Sequence, residues 1–428
     1  MIREIFLNKK YALFGVVLMF TALSVFLQVS PASTSSYIEK SLFLNQDDIV
    51  KISGLYFLVY AVLQIPNGIA FDRYGLKYLL PLGIILTMVG NILYWQAFNS
   101  VSLGLSRAVT GGGCSIAYIA AIFIAAKSFK AKYLPMCIGL IEGATTLGAI
   151  LAGNTYSWIL KTYGWDTANI IIVIFSILLL LLSLVFIKGN SSIQGGAKSA
   201  LSFKKTVFQA LSLFKNKALC GVFMYSFFTW LIIMAFAGYW AKNYFVNMHN
   251  YSIERSLGLG EIYWASFLVT NLIIGCFVTD IKACKKYIIL LSLTSVFTFI
   301  ILAIPILFNY YGLVIFSVFA GISASGVVLA FSLIPVISPN GLSGTAIAIN
   351  NTFIVLGGVC GQILFGVILS DFSLKRIVHI RDINEDYYTA LLLFPVSSVL
   401  ALLAISYALL SLRKTLPVSN SNLLHKPI

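Results

Sequence analysis

Apolar residues in this chain run in long uninterrupted stretches, broken by short polar turns, and not at the spacing of an amphipathic surface helix. Residues 167–187, for example, contain no charged side chain. Twelve such stretches are predicted, at 11–36, 52–71, 78–98, 101–127, 134–160, 166–187, 218–245, 260–279, 287–308, 312–336, 342–369 and 389–412. Each has the length at which an α-helix crosses ~30 Å of hydrocarbon. The pattern predicts an all-α membrane protein with twelve transmembrane helices. The first stretch follows a basic N-terminus but is about 26 residues long and lacks a small-residue cleavage site, so it reads as a span and not as a signal peptide. The one long polar interruption, 188–217, carries Gly189, Asn190, Ser191, Ser192, Gly195, Gly196 and six lysines, the composition of a linker. It separates a six-helix half over 1–187 from a second over 218–428, and that division predicts an internal repeat.

Composition agrees with the pattern and narrows it. Hydrophobic residues make up 59%, charged residues only 10%, and mean hydropathy is +0.94, which excludes a soluble globule. No loop is long enough for an ATPase domain and no G-x-x-x-x-G-K-[ST] is present, so a primary pump is excluded. The net charge of +15 would suit a polyanion partner if it were clustered. It is instead divided by topology. Arg3, Lys9, Lys10, Arg73, Lys77, Lys127, Lys130, Lys132, Lys282, Lys285, Lys286, the linker lysines, Arg413, Lys414 and Lys426 give 20 basic residues on one side. Lys40, Lys51, Lys161, Lys242, Arg255, Lys375, Arg376 and Arg381 give eight on the other. The positive-inside bias places both termini and the linker in the cytoplasm, in the cell inner membrane. No nucleic-acid partner is expected; the partners are the lipid bilayer, a small-molecule substrate and protons, and the chain is expected to act as a monomer.

Cysteines 114, 137, 220, 276, 284 and 360 are scattered without a C-x-x-C, and His249, His379 and His425 fall in loops or the tail. No metal and no cofactor are expected. With no intramembrane histidine the chain is not read as an enzyme, and it lacks the charged rings or filter of a channel.

The two halves can be laid on one another at an offset of 208–210 residues. Asp72 and Lys77 stand five apart after the second span, as do Asp280 and Lys285 after the eighth. Arg107 is followed at +4 by Gly111, and Ser317 by Gly321. Glu142 through Gly148 lies opposite Asn351 through Gly357. A duplicated six-helix unit is the build of secondary carriers, whose substrate sits near the membrane midplane.

These residues resemble the major facilitator superfamily over essentially the whole chain. The loop after the second span is similar to its signature G-x-x-x-D-R-x-G-x-K, carried by Gly68, Asp72, Arg73, Gly75 and Lys77. Arg107 with Gly111, Gly112 and Gly113 is similar to the family's arginine and glycines in span four. Many antiporters of the family carry Gly-Pro in span five, where this chain has Gly148-Ala149 and Ala152-Gly153. Trp165 before span six is similar to the family's Gly-Trp at that place, and Trp240 with Tyr244 ending span seven looks like its bacterial uptake branches. The resemblance implies two pseudo-symmetric halves and transport by alternating access.

Independently of any family, the turn at 72–77, with Asp280 and Lys285 as its counterpart, can accept helix ends and latch a gate, while Gly68 lets two helices approach closely. Only Arg107 and Glu142 place a charge well inside a span, which makes each a functional candidate. The spans put them roughly 9 Å apart in depth. Arg107 can take a carboxylate or phosphate in a bidentate fork or favour the anion of a nearby acid. Glu142, in low dielectric, can take up and release a proton as its wetting changes, which proton coupling requires. Gln28, Tyr60, Gln64, Tyr118, Thr145, Tyr225, Trp230, Asn350 and Asn351 are further candidates to line the substrate site. The reading is a secondary carrier of a small polar solute, an amino acid, short peptide or organic anion, taken up by proton symport. Its alternative is proton-driven efflux of a metabolite, siderophore or drug.

Overall fold

The helix ends are written in short polar residues. In the computed structural model, which describes residues 9–187, 208, 210–278, 280–304, 308–374 and 383–415, the first half opens with α1 (Lys9–Val29), α2 (Pro31–Leu42), α3 (Gln46–Tyr74), α4 (Leu76–Trp95), α5 (Ser100–Cys114), α6 (Ala117–Ser128), α7 (Leu134–Ile150) and α8 (Tyr156–Ile187). The second comprises α9 (Lys217–Ala235), α10 (Ala241–His249), α11 (Ile253–Phe277), α12 (Ile281–Ala303), α13 (Tyr310–Ala324), α14 (Gly326–Ile337), α15 (Ser343–Leu374), α16 (Ile383–Leu391) and α17 (Leu393–Thr415). Asn45, Asn99, Asn216, Ser252, Asp280 and Asn309 each accept an orphan amide at a helix start. Gly75, at φ 70°, ends α3 in a conformation that a side chain would strain. Among the described residues, twelve helical stretches are long and apolar enough to cross a membrane. The twelve-span all-α architecture expected from the sequence is therefore present. Residues 1–8 with Arg3, most of the linker, His379, His425, Lys375, Arg376, Arg381 and the distal tail lie outside the described residues.

Several boundaries differ from expectation, each for a local reason. The first span does not run straight to residue 36: Pro31 has no N–H to continue the ladder, and a second helix starts there. Between the fifth and sixth spans the chain kinks twice: at Gly153 (φ −83°, ψ −113°) inside the widened turn Leu151–Thr155, and at Gly164 inside α8, where φ is 81°. The eighth span begins at Ile253, capped by Ser252, and not near 260. Glu254 holds the first-turn position, and Glu261, at the start of the expected span, is exposed two turns inside the helix.

The chain packs as two units. One takes Met1–Lys130, Leu140–Ala210 and Pro339–Ile349; the other takes Ala131–Gly139, Leu211–Ser338 and Asn350–Ile428. Within each, the same skeleton recurs. The fourth span breaks at Ser115, between α5 and α6, and the tenth breaks at Ser325, between α13 and α14, 210 residues on. Asn99 caps α5 and Asn309 caps α13, again 210 apart. In the first unit a Cβ on Gly148 would meet the backbone of Ala22, 3.1 Å from its Cα. In the second unit, a Cβ on Gly357 would stand 3.1 Å from the Cα of Phe227. Gly111 presses on the Tyr56 backbone as Gly321 presses on that of Tyr263. A repeat read from weak residue matches is thus written in backbone contacts, where glycine is the only residue that fits.

Candidate functional site

Arg107 projects from α5 into the packing of the first unit and is only 3% exposed. Its Nη1 donates to the Leu27 carbonyl of α1 at 2.9 Å. The guanidinium lies over the Tyr56 ring at 4.8 Å and the Tyr94 ring at 5.9 Å. Both rings are pinned: Tyr56 donates to the Ser24 carbonyl at 3.3 Å, and the Tyr94 hydroxyl bonds Thr34 at 2.6 Å. The remaining donors, Nε and Nη2, are buried with no hydrogen-bond partner. No carboxylate among the described residues pairs with this cation. Nε and Nη2 form the edge that grips a carboxylate by two parallel bonds. Buried donors left open at that edge have the chemistry of an anion receptor, since an unmet buried donor is costly.

Glu142 on α7 is 5% exposed. The hydroxyl of Tyr118, from α6, donates to its Oε1. Thr145 and Thr146 turn back to the Glu142 main-chain carbonyl at 2.7 and 2.9 Å, and the Thr145 hydroxyl stands 3.5 Å from Oε2. Arg107 and Glu142 do not meet. Tyr118 lies eleven residues beyond Arg107, about 16 Å of helix rise, and past the break at Ser115. From the Arg107 side, Tyr56 stacks on Tyr60 at 5.9 Å with 16° between rings.

The structure distributes the other candidates. Gln64 is buried and reaches the Ser115 carbonyl at 3.5 Å, so its amide serves the helix break. Asn67, not singled out from the sequence, donates to the Ser115 hydroxyl at 2.7 Å. Their three-residue spacing on one helix face was the available signal. Gln28 is half-buried, next in sequence to the carbonyl that Arg107 holds. Tyr56 had a signal in its spacing of four from Tyr60; Tyr94 had none. In the second unit, Tyr225 is buried with its hydroxyl against Gly326, inside the helix packing. Trp230 lies against Gly358, and Asn350 and Asn351 are buried on α15. Both amide atoms of Asn350 lack a partner, as do those of Asn271 on α11.

The turn after α3 makes a defined contact within the first unit. Asp72, 7% exposed, accepts from Gly344 N, Thr345 N and the Thr345 hydroxyl, each at 2.7 Å. It thereby caps α15, and Gly68 allows the approach: a Cβ there would stand 2.8 Å from the Gly344 carbonyl. Arg73 and Lys77 take no part in this cap, lying over the neighbouring Tyr74 and Tyr78 rings at 5.2 and 5.3 Å. Asp280 does not repeat the role. It is exposed and caps its own following helix through Ala283 N at 2.6 Å, with Lys285 half-buried one turn on.

The family model of the Major Facilitator Superfamily matches residues 12–361 of this chain. The Hexuronate transporter of Bacillus subtilis (strain 168) is 23% identical over 248 residues, 57% of this chain and 58% of that protein. Among solved structures, a bacterial homologue of the iron transporter ferroportin in its outward-facing state superposes with a TM-score of 0.73 at 11% identity, covering 94% of this chain and 99% of that one. The proton:xylose symporter XylE bound to 6-bromo-6-deoxy-D-glucose gives a TM-score of 0.63 at 15% identity, with coverages of 92% and 94%. At these identities the solved structures speak for the fold.

Proposed function

The chain belongs to the Major Facilitator Superfamily, and from that premise we propose that it is a proton-coupled carrier that takes up a small solute bearing a carboxylate by alternating access across the inner membrane. The observation that carries this reading is the pairing, in one unit, of a buried cation with an open bidentate edge and a buried acid held by a neutral donor. Arg107 keeps Nε and Nη2 unmet while two tyrosine rings and a carbonyl hold it in place. A charge so placed is favourable only while something satisfies it, and a solute carboxylate does so in one state of the cycle. Glu142 supplies the second requirement, a group that is neutral when dry and ionised when wetted. The Hexuronate transporter of Bacillus subtilis, by its name, handles a sugar acid, a solute with the charge that the Arg107 edge would take.

Alternating access needs contacts that hold one state closed. The Asp72 cap on α15 is assigned that role, with Gly68 and Gly75 permitting its geometry, because it joins a turn after the second span to the start of the eleventh through a single carboxylate.

The test is uptake into proteoliposomes under an imposed inward proton gradient, with glucuronate, amino acids, dipeptides, nucleosides and uncharged hexoses as solutes. Concentrative uptake of a carboxylate-bearing solute is expected. Glu142→Gln, which mimics the protonated acid, should abolish accumulation against a gradient and keep counterflow exchange, because a reloaded carrier need not release a proton between half-cycles. Accumulation surviving in Glu142→Gln would remove this residue as the coupling site. Preference for an uncharged hexose over its acid would remove the carboxylate reading, and gradient-driven extrusion of preloaded solute would reverse the direction.

A further inference from the structure

Tyr118 reaches Glu142 from a helix segment of its own. The fourth span is interrupted at Ser115: α5, which carries Arg107, ends at Cys114, and α6, which carries Tyr118, starts at Ala117. The groups at this interruption are held from α3, by Asn67 on the Ser115 hydroxyl at 2.7 Å and Gln64 on its carbonyl at 3.5 Å. A joint closed by side chains is easier to reset than an unbroken helical ladder. At the other end, the hydroxyls of Thr145 and Thr146 are engaged with the Glu142 main-chain carbonyl at 2.7 and 2.9 Å. That leaves the Tyr118 hydroxyl as the strong donor to the carboxyl itself. The groups facing the Glu142 carboxyl are therefore Tyr118 from α6 and Thr145 from its own helix. Arg107 stays with Tyr56 and Tyr94 on α5's side of the joint.

We propose that Tyr118 is the positioning residue that times proton release from Glu142, by donating its O–H to the carboxylate in the state that releases the proton and withdrawing it, as the Ser115 joint resets, in the state that loads one. The inference rests on Glu142 being the coupling acid. Its chemistry is a simple balance. With the bond made, the anion of Glu142 is stabilised and the proton leaves the carboxyl oxygen for cavity water. With the bond broken, the carboxylate faces dry surroundings without a strong donor, and it recovers a proton from water on the loading side. Tyr118 keeps its own proton throughout. Its hydroxyl is the only atom exchanged for hydrogen in Tyr118→Phe, so packing of the ring is preserved.

The experiment measures gradient-driven uptake and counterflow in proteoliposomes across a pH series, for wild type, Tyr118→Phe, Glu142→Gln and the double variant, with glucuronate as the probe solute if the panel above shows it to be carried and otherwise the best solute of that panel. Tyr118→Phe removes a donor to the anion, so Glu142 keeps its proton to higher pH and the alkaline fall in uptake should move up by about one pH unit. Counterflow should persist. Replacement of Tyr118 by 3-fluorotyrosine gives a stronger donor of nearly the same shape, and the fall should move to lower pH. Glu142→Gln and the double variant should behave alike. If Tyr118→Phe lowers uptake equally at every pH while Glu142→Gln is uncoupled, Tyr118 only packs and the proposal is overturned with the coupling site intact. If Tyr118→Phe fails to fold, an unmoved profile with 3-fluorotyrosine overturns it in the same way. Coupled uptake in Glu142→Gln overturns both readings.

Discussion

Replacing Asp72 by alanine removes three acceptor contacts in one step, to Gly344 N, Thr345 N and the Thr345 hydroxyl, each 2.7 Å long. The two amides belong to the first turn of α15 and have no partner within their own helix. A hydrogen bond to a charged group contributes about 1.5–3 kcal/mol, and an anion at a helix N-terminus adds up to about 2 kcal/mol in a partly buried site. The three bonds share one carboxylate and do not add. A total of about 3–5 kcal/mol favouring the capped state is the reasonable figure. At about 1.4 kcal/mol per factor of ten, the uncapped population should rise from about 10²-fold to about 4,000-fold in Asp72→Ala. Asp72→Asn keeps an acceptor and loses the charge, so it should show about a tenfold rise. A single cysteine introduced at Ala348, which is fully buried beside Gly68, reports the opening. Its alkylation by a soluble maleimide in a background lacking the native cysteines should quicken from wild type to Asp72→Asn to Asp72→Ala, while turnover falls. Equal alkylation rates in all three would show that the carboxylate contributes nothing to closure and would refute the latch.

Arg107→Lys keeps the charge but loses the planar fork, so the KM for a carboxylate solute should rise about tenfold or more with maximal rate largely retained, as read from initial uptake rates. An unchanged KM would take the carboxylate away from this residue. Gly148→Val and Gly357→Val should each lower Tm in detergent, and by similar amounts, because each Cβ would press on the backbone of a neighbouring helix at the same place in the repeat. A large loss for one and none for the other would mean that the two contacts are not equivalent.

How far the residues foretold the fold depended on which physical term set each feature. Span number follows from apolar length alone, and all twelve were legible because hydrocarbon thickness leaves little freedom. Ends were legible only where a cap was sought. Ser252, which caps the amide of Arg255, announces the start of α11, but the hydropathy of 253–259 does not, and the expected span starts late for that reason. Arg107 and Glu142 stood out because an intramembrane charge has few bland explanations. Their partners did not. Tyr56 and Tyr94 approach Arg107 from two other helices, and which aromatic ring meets a cation is decided by helix rotation, for which single positions carry no signal. The depth argument brought Arg107 and Glu142 to one region; the break at Ser115 and the tyrosines between them were invisible to it. Asp72 illustrates the opposite case. The turn chemistry pointed to a helix end as its partner, and the structure supplies one at Gly344 and Thr345.

The duplication also separates what a carrier must share between its halves from what it must not. The backbone contacts at Gly148 and Gly357, and the breaks at Ser115 and Ser325, recur because a helix crossing and a helix interruption are needed in each half. The charges do not recur. Arg107 is matched by Ser317, Glu142 by Asn351, and the Asp72 cap by an aspartate that serves only its own helix. Buried neutral amides such as Asn350 and Asn271 cost far less without a partner than a buried charge does. On the proposed reading, keeping both intramembrane charges in one unit lets occupancy of the Arg107 edge and ionisation of Glu142 act within the same packed helices. On the proposed symport reading, the solute anion and the proton load together at Arg107 and Glu142 without a change in the chemistry of the second unit, whose amides need only offer or accept hydrogen bonds. A carrier that transferred its charge between the units would have to desolvate it twice in each cycle, and the cost of moving a charge through low dielectric argues for the asymmetric arrangement these residues adopt.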